Sequence, residues 1–274
     1  MSDPALRPTE AVPHSSPDPT SRWPAQLRAL TPARVGLGRT GVSLETSDLL
    51  DFQRCHAQAR DAVHARLESA ALAAALQQLT GGAILRLHSA AADRATYLQR
   101  PDLGRTLDEP SRKLLAETSP AGGGDLALIV ADGLSALAVE RHVAPLLAEL
   151  LPRLDVSKLA PVCIVEQGRV AIGDEIGAAL NAGIAVVLIG ERPGLSSPDS
   201  LGAYITWNPK PGRTDAERNC ISNIRPEGLT YAQAAAQLGF ILAEARRLRL
   251  TGVALKIQAQ PRMQQAPRTE EIEP

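Results

Sequence analysis

The apolar run Ala185 to Ile189 ends in Gly190-Glu191-Arg192-Pro193-Gly194. This pattern reads as a buried parallel strand that delivers a carboxylate and a guanidinium to a crevice. Strand ends of that kind are where open α/β sheets bind ligands. Glu191 can there either pair with Arg192 or accept hydrogen bonds from a neutral ligand. A second stretch, Arg218-Asn219-Cys220-Ile221-Ser222-Asn223-Ile224-Arg225, gathers a thiol, amide donors and two arginines without clear helical or strand period. It is expected as an irregular segment lining a site or interface. Asp132-Gly133-Leu134-Ser135 follows another apolar run, where capping of a turn by Asp132 and of a helix by Ser135 is the stronger reading. Taken singly, Cys220 reads as a small buried hydrophobe and Val170 as core.

Other chemistries lack their residues. Gly36-Leu37-Gly38-Arg39-Thr40-Gly41 has dinucleotide-fingerprint spacing, but no strand pattern precedes it and no helix pattern starts at Gly41, so a loop or turn is expected. His14, His56, His64, His88 and His142 show no ligand spacing with one another, with cysteine or with carboxylates. No Gly-x-Ser-x-Gly elbow occurs, and the stretch after Gly190 lacks the lysine of a phosphate loop. Cys55, Cys163 and Cys220 form no CxxC pair, which argues against a disulfide framework and for a reducing setting. A self-contained hydrolase, kinase or metalloenzyme is not expected, and neither a catalytic set nor a metal site is assigned to this chain.

The elements that must position these residues fall into a pattern. Strands are expected at Leu126 to Val130, Pro161 to Val165, Ala185 to Ile189 and Tyr204 to Trp207. Helices are expected at Ser135 to Leu151, Ile172 to Asn181 and Thr230 to Arg249. Such alternation predicts an α/β fold, a Rossmann-like parallel sheet with helices on both faces, spanning 121–256. Right-handed crossovers then bring Asp132-Gly133, Gln167 to Val170 and Gly190 to Gly194 to one rim. Upstream, 31–120 reads as a small, mainly helical domain. It holds one long helix or a broken pair over Ser47 to Gln78, a short strand at Ala83 to Leu87, a polar loop at Tyr97 to Arg105 and a helix near Ser111 to Glu117. The Pro-rich 1–30 segment and the 257–274 segment are expected as disordered tails.

Composition narrows the partners. Net charge is -1 with scattered basic residues, and aromatics make up only 3%, so nucleic acid and anionic membranes are not expected. No stretch approaches the roughly 20 apolar residues of a membrane span, and the expected setting is cytoplasmic.

Five motifs carry a family resemblance: Y-L-Q-R-P-D-L-G-R (97–105), I-V-A-D-G-L-S (129–135), R-V-A-I-G-D-E-I-G (169–177), V-V-L-I-G-E-R-P-G-L (186–195) and R-N-C-I-S-N-I-R (218–225). Together they resemble the small (light) subunit of ethanolamine ammonia-lyase over roughly 31–256. The resemblance implies a large (heavy) subunit with a (β/α)8 barrel that binds substrate and carries most catalytic groups, in a hetero-oligomer of several heavy/light pairs. It also implies adenosylcobalamin held between that barrel and this chain's Rossmann-like domain. Homolysis of the cobalt–carbon bond there starts a radical conversion of ethanolamine to acetaldehyde and ammonia. Three cofactor contacts carry over: Val170 as apolar packing, Glu191 as acceptor, and Cys220 as a close polar or backbone contact. Arg169, Arg192 and Asn223 stand second. The chain lacks Asp-x-His-x-x-Gly, and Asp61-Ala62-Val63-His64 has the wrong spacing, so the cofactor is expected base-on. Packing into a bacterial microcompartment is a role open to the Pro-rich leader. The competing readings are a stand-alone Rossmann-like nucleotide-binding module and a purely structural assembly protein.

Overall fold

The computed structural model describes residues 22–31, 33–118 and 124–255. The expected tails at 1–21 and 257–274, and the 121–123 part of the expected linker, lie outside the described residues. The chain divides between His56 and Ala57 into two compact units.

The first unit holds helix α1 (Arg22–Leu30), a minimal hairpin of β1 (Arg39–Thr40) and β2 (Ser43–Leu44), and the opening turns of α2 (Thr46–His64). Helix α1 corrects the expected tail at its carboxyl end. Its Ala, Gln, Leu and Arg residues favour a helix, and Pro24 falls in the first turn, where a missing N–H is tolerated. The glycine-spaced 36–41 stretch leads into the β1–β2 turn, as its lack of strand–turn–helix context predicts. Asp51 pairs here with Arg34 (2.8 Å) and Arg54 (2.6 Å), and the Arg34 guanidinium lies 5.5 Å from the Phe52 ring centre.

The second unit is a mixed α/β domain. Its elements after α2 are α3 (Ser69–Thr80), β3 (Ile84–His88), α4 (Arg94–Gln99), α5 (Glu109–Thr118), β4 (Leu126–Ala131), α6 (Ala136–Leu150), β5 (Val162–Glu166), α7 (Ile172–Ala179), β6 (Ile184–Gly190), β7 (Leu201–Trp207), β8 (Arg218–Ile224) and α8 (Tyr231–Leu248). One six-stranded sheet runs β3-β5-β4-β6-β7-β8. Strand β3 comes from the stretch expected to form a small helical domain, and its pairing with β5 makes that stretch part of the main sheet. The long helical pattern is a broken pair, α2 and α3. Helix α4 replaces the first part of the polar loop expected from Tyr97.

The expected parallel sheet is correct for β3, β5, β4 and β6 only. Strands β7 and β8 run antiparallel, because residues 191–200 and 208–217 join their strands without the crossover helix a parallel return needs. Strand β8 also corrects the reading of 218–224 as irregular. Only Arg218, Ile221 and Ile224 of it are buried, and the exposed Cys220, Ser222 and Asn223 hide the period of two.

Side-chain alternation splits the core between the two faces. Leu128, Val130 and Val186 pack with α3, α6 and α8, while Ile129, Val165 and Val187 pack with α5 and α7. Each fully buried Leu or Ile contributes about 1.5–3 kcal/mol, so both layers hold the central strands rigid beneath the loops. The chain leaves β4 for α6 on one face and β5 for α7 on the other. The carboxyl ends of these neighbouring strands therefore diverge, which opens a crevice.

Candidate functional site

Two open clefts lie at that carboxyl rim. One, of about 400 Å³, is lined by Tyr97, Leu134, Val170, Glu191, Arg192 and Tyr204 among others. The other, of about 470 Å³, is lined by Arg105, Arg169, Val170, Tyr204, Arg213 and Thr214 among others. They share Arg169, Val170 and Tyr204, so these residues form the ridge between two halves of one site. A further cavity of about 260 Å³ sits at the opposite end of the strands. Among its described lining residues, the hydroxyls of Thr80 and Thr118 donate to the carbonyls of Leu76 and Leu114.

The floor of the crevice is a buried polar knot. Tyr97, fully buried on α4, donates its hydroxyl to the Gly168 carbonyl at 3.2 Å. The guanidinium carbons of Arg94 and Arg169 stand 4.8 and 4.3 Å from its ring centre, a cation–π arrangement. Arg169 also donates to the Tyr97 carbonyl at 3.2 Å, while its buried Nε has no hydrogen-bond partner among the described residues. Arg94 reaches the Val63 carbonyl (2.6 Å), the Gly133 carbonyl (2.8 Å) and Gln167 Oε1 (3.2 Å). Asp132 accepts from the Gly168 N–H at 3.0 Å and lies 3.6 Å from Arg94 Nη1. Burial pushes its carboxyl up to about 6, against the pull of the Gln167 and Gly168 amides and Arg94. Asp132 thus ties β4 to the β5 loop, beyond the turn-capping role expected. Ser135 is the N-cap of α6, accepting from the Ala138 N–H at 3.3 Å.

Backbone geometry brings the strand ends together. Gly133 takes φ 58°, and a Cβ there would collide with the Gly190 carbonyl oxygen, so no larger residue fits between β4 and β6. Gln167, with φ 57°, and Asn223, with φ 59°, hold left-handed conformations, which asparagine adopts readily and glutamine rarely.

The expected contact residues fall as follows. Val170 is half-buried just before α7 and lines both clefts. Glu191, the first residue after β6, lines the first cleft. It does not pair with Arg192: its Oε2 accepts from the Ser200 hydroxyl and from the Asn223 N–H (3.2 Å). Its Oε1 accepts no hydrogen bond among the described residues, and a Cβ on Gly202 would come within 2.9 Å of it. Cys220 is exposed on β8, directly across from Tyr204, with its sulfur 3.3 Å from the Ser222 hydroxyl. It lines neither cleft, although its partner Tyr204 lines both, and it is not the buried hydrophobe its type suggests. Arg169, Arg192 and Asn223 gather here as well. The sequence reading missed Arg94, Tyr97, Ser200 and Tyr204. One signal was available: the chain has only three tyrosines, and two of them line the site.

Among the described residues, no three His, Cys, Asp or Glu side chains converge as for a metal, and no helix is long and apolar enough to cross a membrane.

Residues 21–256 match the family model of the ethanolamine ammonia-lyase light chain. The chain is 58% identical over 247 residues to the ethanolamine ammonia-lyase small subunit of Pseudomonas fluorescens (strain Pf0-1), covering 89% of each chain. It is 59% identical over 242 residues to that of Ralstonia nicotianae (strain ATCC BAA-1114 / GMI1000), covering 87% of this chain and 89% of the relative. Against the small subunit of Pseudomonas aeruginosa (strain LESB58), identity is 56% over 260 residues, 92% of this chain and 95% of the relative.

Proposed function

The chain belongs to the ethanolamine ammonia-lyase light-chain family, and from that premise we propose that it is the small subunit of an adenosylcobalamin-dependent lyase that converts ethanolamine to acetaldehyde and ammonia. It works with a large subunit and holds the coenzyme between the two chains. The observation that carries this reading is the double cleft at the carboxyl rim of the sheet, of which Val170 lines both halves and Glu191 one.

The residues present fit such a ligand. A corrin ring carries apolar edges and many neutral amides, which call for packing surfaces and scattered donors and acceptors, not a basic cradle. Val170 and Leu134 supply packing, and Glu191 Oε1, which accepts no hydrogen bond among the described residues, supplies an acceptor. Cys220, across from Tyr204 on β8, is the third proposed contact. This reading includes a coenzyme that keeps its own base on cobalt. When bound, the coenzyme supplies the radical that takes hydrogen from the substrate. This chain's part is to bind, orient and shield, and its clefts are open until the large subunit closes over them. A cytoplasmic setting, with the 1–21 leader as a candidate microcompartment signal, belongs to the same reading.

The test is co-expression with the large subunit followed by an ammonia assay on ethanolamine. Ammonia is expected only when both chains and adenosylcobalamin are present. Deamination by this chain alone, or by the pair without coenzyme, would overturn the reading.

A further inference from the structure

Glu191 depends on two arms of chain. Its Oε2 is held by the Ser200 hydroxyl and by the Asn223 N–H at 3.2 Å, and its own N–H donates to the Ser200 carbonyl at 2.9 Å. Ser200 ends the 191–200 loop and Asn223 lies near the end of β8. Neither neighbourhood has a helix of its own to stiffen it. Each arm does carry a charged residue next to its Glu191 contact: Asp199 precedes Ser200, and Arg225 lies two residues after Asn223.

These charges meet. Arg225 Nη1 is 3.4 Å from Asp199 Oδ1, and helix α6 adds Arg141 at 2.9 Å and His142 Nε2 at 3.4 Å from Asp199 Oδ2. Both side chains are largely withdrawn from solvent, at 15% exposure for Asp199 and 10% for Arg225. Burial raises the Asp199 carboxyl, but the Arg141 hydrogen bond, the neighbouring His142 ring and the charges of Arg141 and Arg225 outweigh it and hold the carboxyl below its ordinary value. Burial lowers His142 in turn, so the lasting charges facing Asp199 are the two arginines. Two further bonds brace the arms. Ser135 at the start of α6 donates to the Pro198 carbonyl at 2.9 Å, and the Leu229 N–H returns to the Asn223 carbonyl at 2.7 Å. An exposed ion pair would contribute little, whereas neutralising Asp199 leaves the largely buried Arg225 with only the exposed Glu227, 3.9 Å from its Nε, and the backbone carrying it shifts.

We infer that Asp199, paired with Arg225 and anchored on α6, is a positioning residue that clasps the 191–200 loop to the end of β8 and so fixes the Glu191 carboxylate in the ligand site. The inference rests on the proposed role of Glu191 as a coenzyme contact. Asp199 touches no ligand itself, and its effect on binding passes through Ser200 and Asn223 to Glu191.

The test is a double-mutant cycle in the assembled two-subunit complex, with the adenosylcobalamin dissociation constant read from its visible absorbance. Glu191→Ala is expected to weaken binding roughly tenfold, as loss of a hydrogen bond to a charged acceptor does. Asp199→Asn is expected to weaken it about three- to tenfold when Glu191 is present and to have no further effect in the Glu191→Ala chain, because coupled residues are non-additive. Asp199→Glu should restore part of the loss. An unchanged constant for Asp199→Asn, or the same loss in both backgrounds, would overturn the inference. If Asp199→Asn does not assemble, Arg225→Gln breaks the same pair from the other arm and is read by the same criteria. An unchanged constant for Glu191→Ala alone would instead remove the reading of Glu191 on which the inference stands.

Discussion

A carboxylate whose burial outweighs its ion pair, here Asp132 at 3.6 Å from Arg94, is a cost that depends on pH. Asp132, 2% exposed, titrates at about 6 in the folded chain instead of near 3.8, so between those values the folded state holds a proton that the unfolded chain has released. Stability from this group therefore falls as pH rises from about 4 to 6 and stays lower above. Asp132→Asn should remove that slope and gain, relative to the parent chain, on the order of 3 kcal/mol between pH 4 and 7, read from urea midpoints at both values. Parallel profiles would show that the carboxyl is not buried as described. Glu191 was legible at this scale because a charge ends an apolar run. Arg94 and Tyr97 were not, since their importance arises from partners far along the chain, Arg169 over the Tyr97 ring and Gly133 and Gln167 on Arg94, and no local pattern records them.

Among the elements, the least obvious join is between α7 and β8. Asp174 and Arg218 meet through two 2.6 Å hydrogen bonds, with 3% and 2% side-chain exposure, and so hold the helix that follows Val170 against the strand that carries Cys220. Removing one partner leaves a buried charge. Asp174→Ala should cost about 3–5 kcal/mol in urea unfolding, while Asp174→Leu with Arg218→Met should recover most of it. A loss below about 1 kcal/mol would mean the pair is solvated. The apolar strands β4, β5 and β6 and the helices between them were legible because burial on both faces writes continuous hydrophobic runs. Strand β8 was not, because its outward face is polar and its pairing with β7 is long-range. The antiparallel turn at β7 was equally hidden, since nothing in the 201–207 run states its direction.

At the scale of the molecule, the two units differ in what they bury. None of residues 26–56 whose exposure is described is buried, whereas the second unit has two core layers and all of the candidate site. The division between chains was not legible from periodicity; it came from five short motifs whose family works as a pair of subunits, and the family match over residues 21–256 agrees with them. The central claim is that this chain presents the ridge at Val170 to adenosylcobalamin within that pair. Val170→Trp, which fills the ridge between the clefts without touching the charge network, is the most direct probe. Titrating adenosylcobalamin into the purified two-subunit complex should show binding weakened by about tenfold or more, about 1.4 kcal/mol, with both chains still co-purifying. A dissociation constant equal to that of the parent complex would contradict the account.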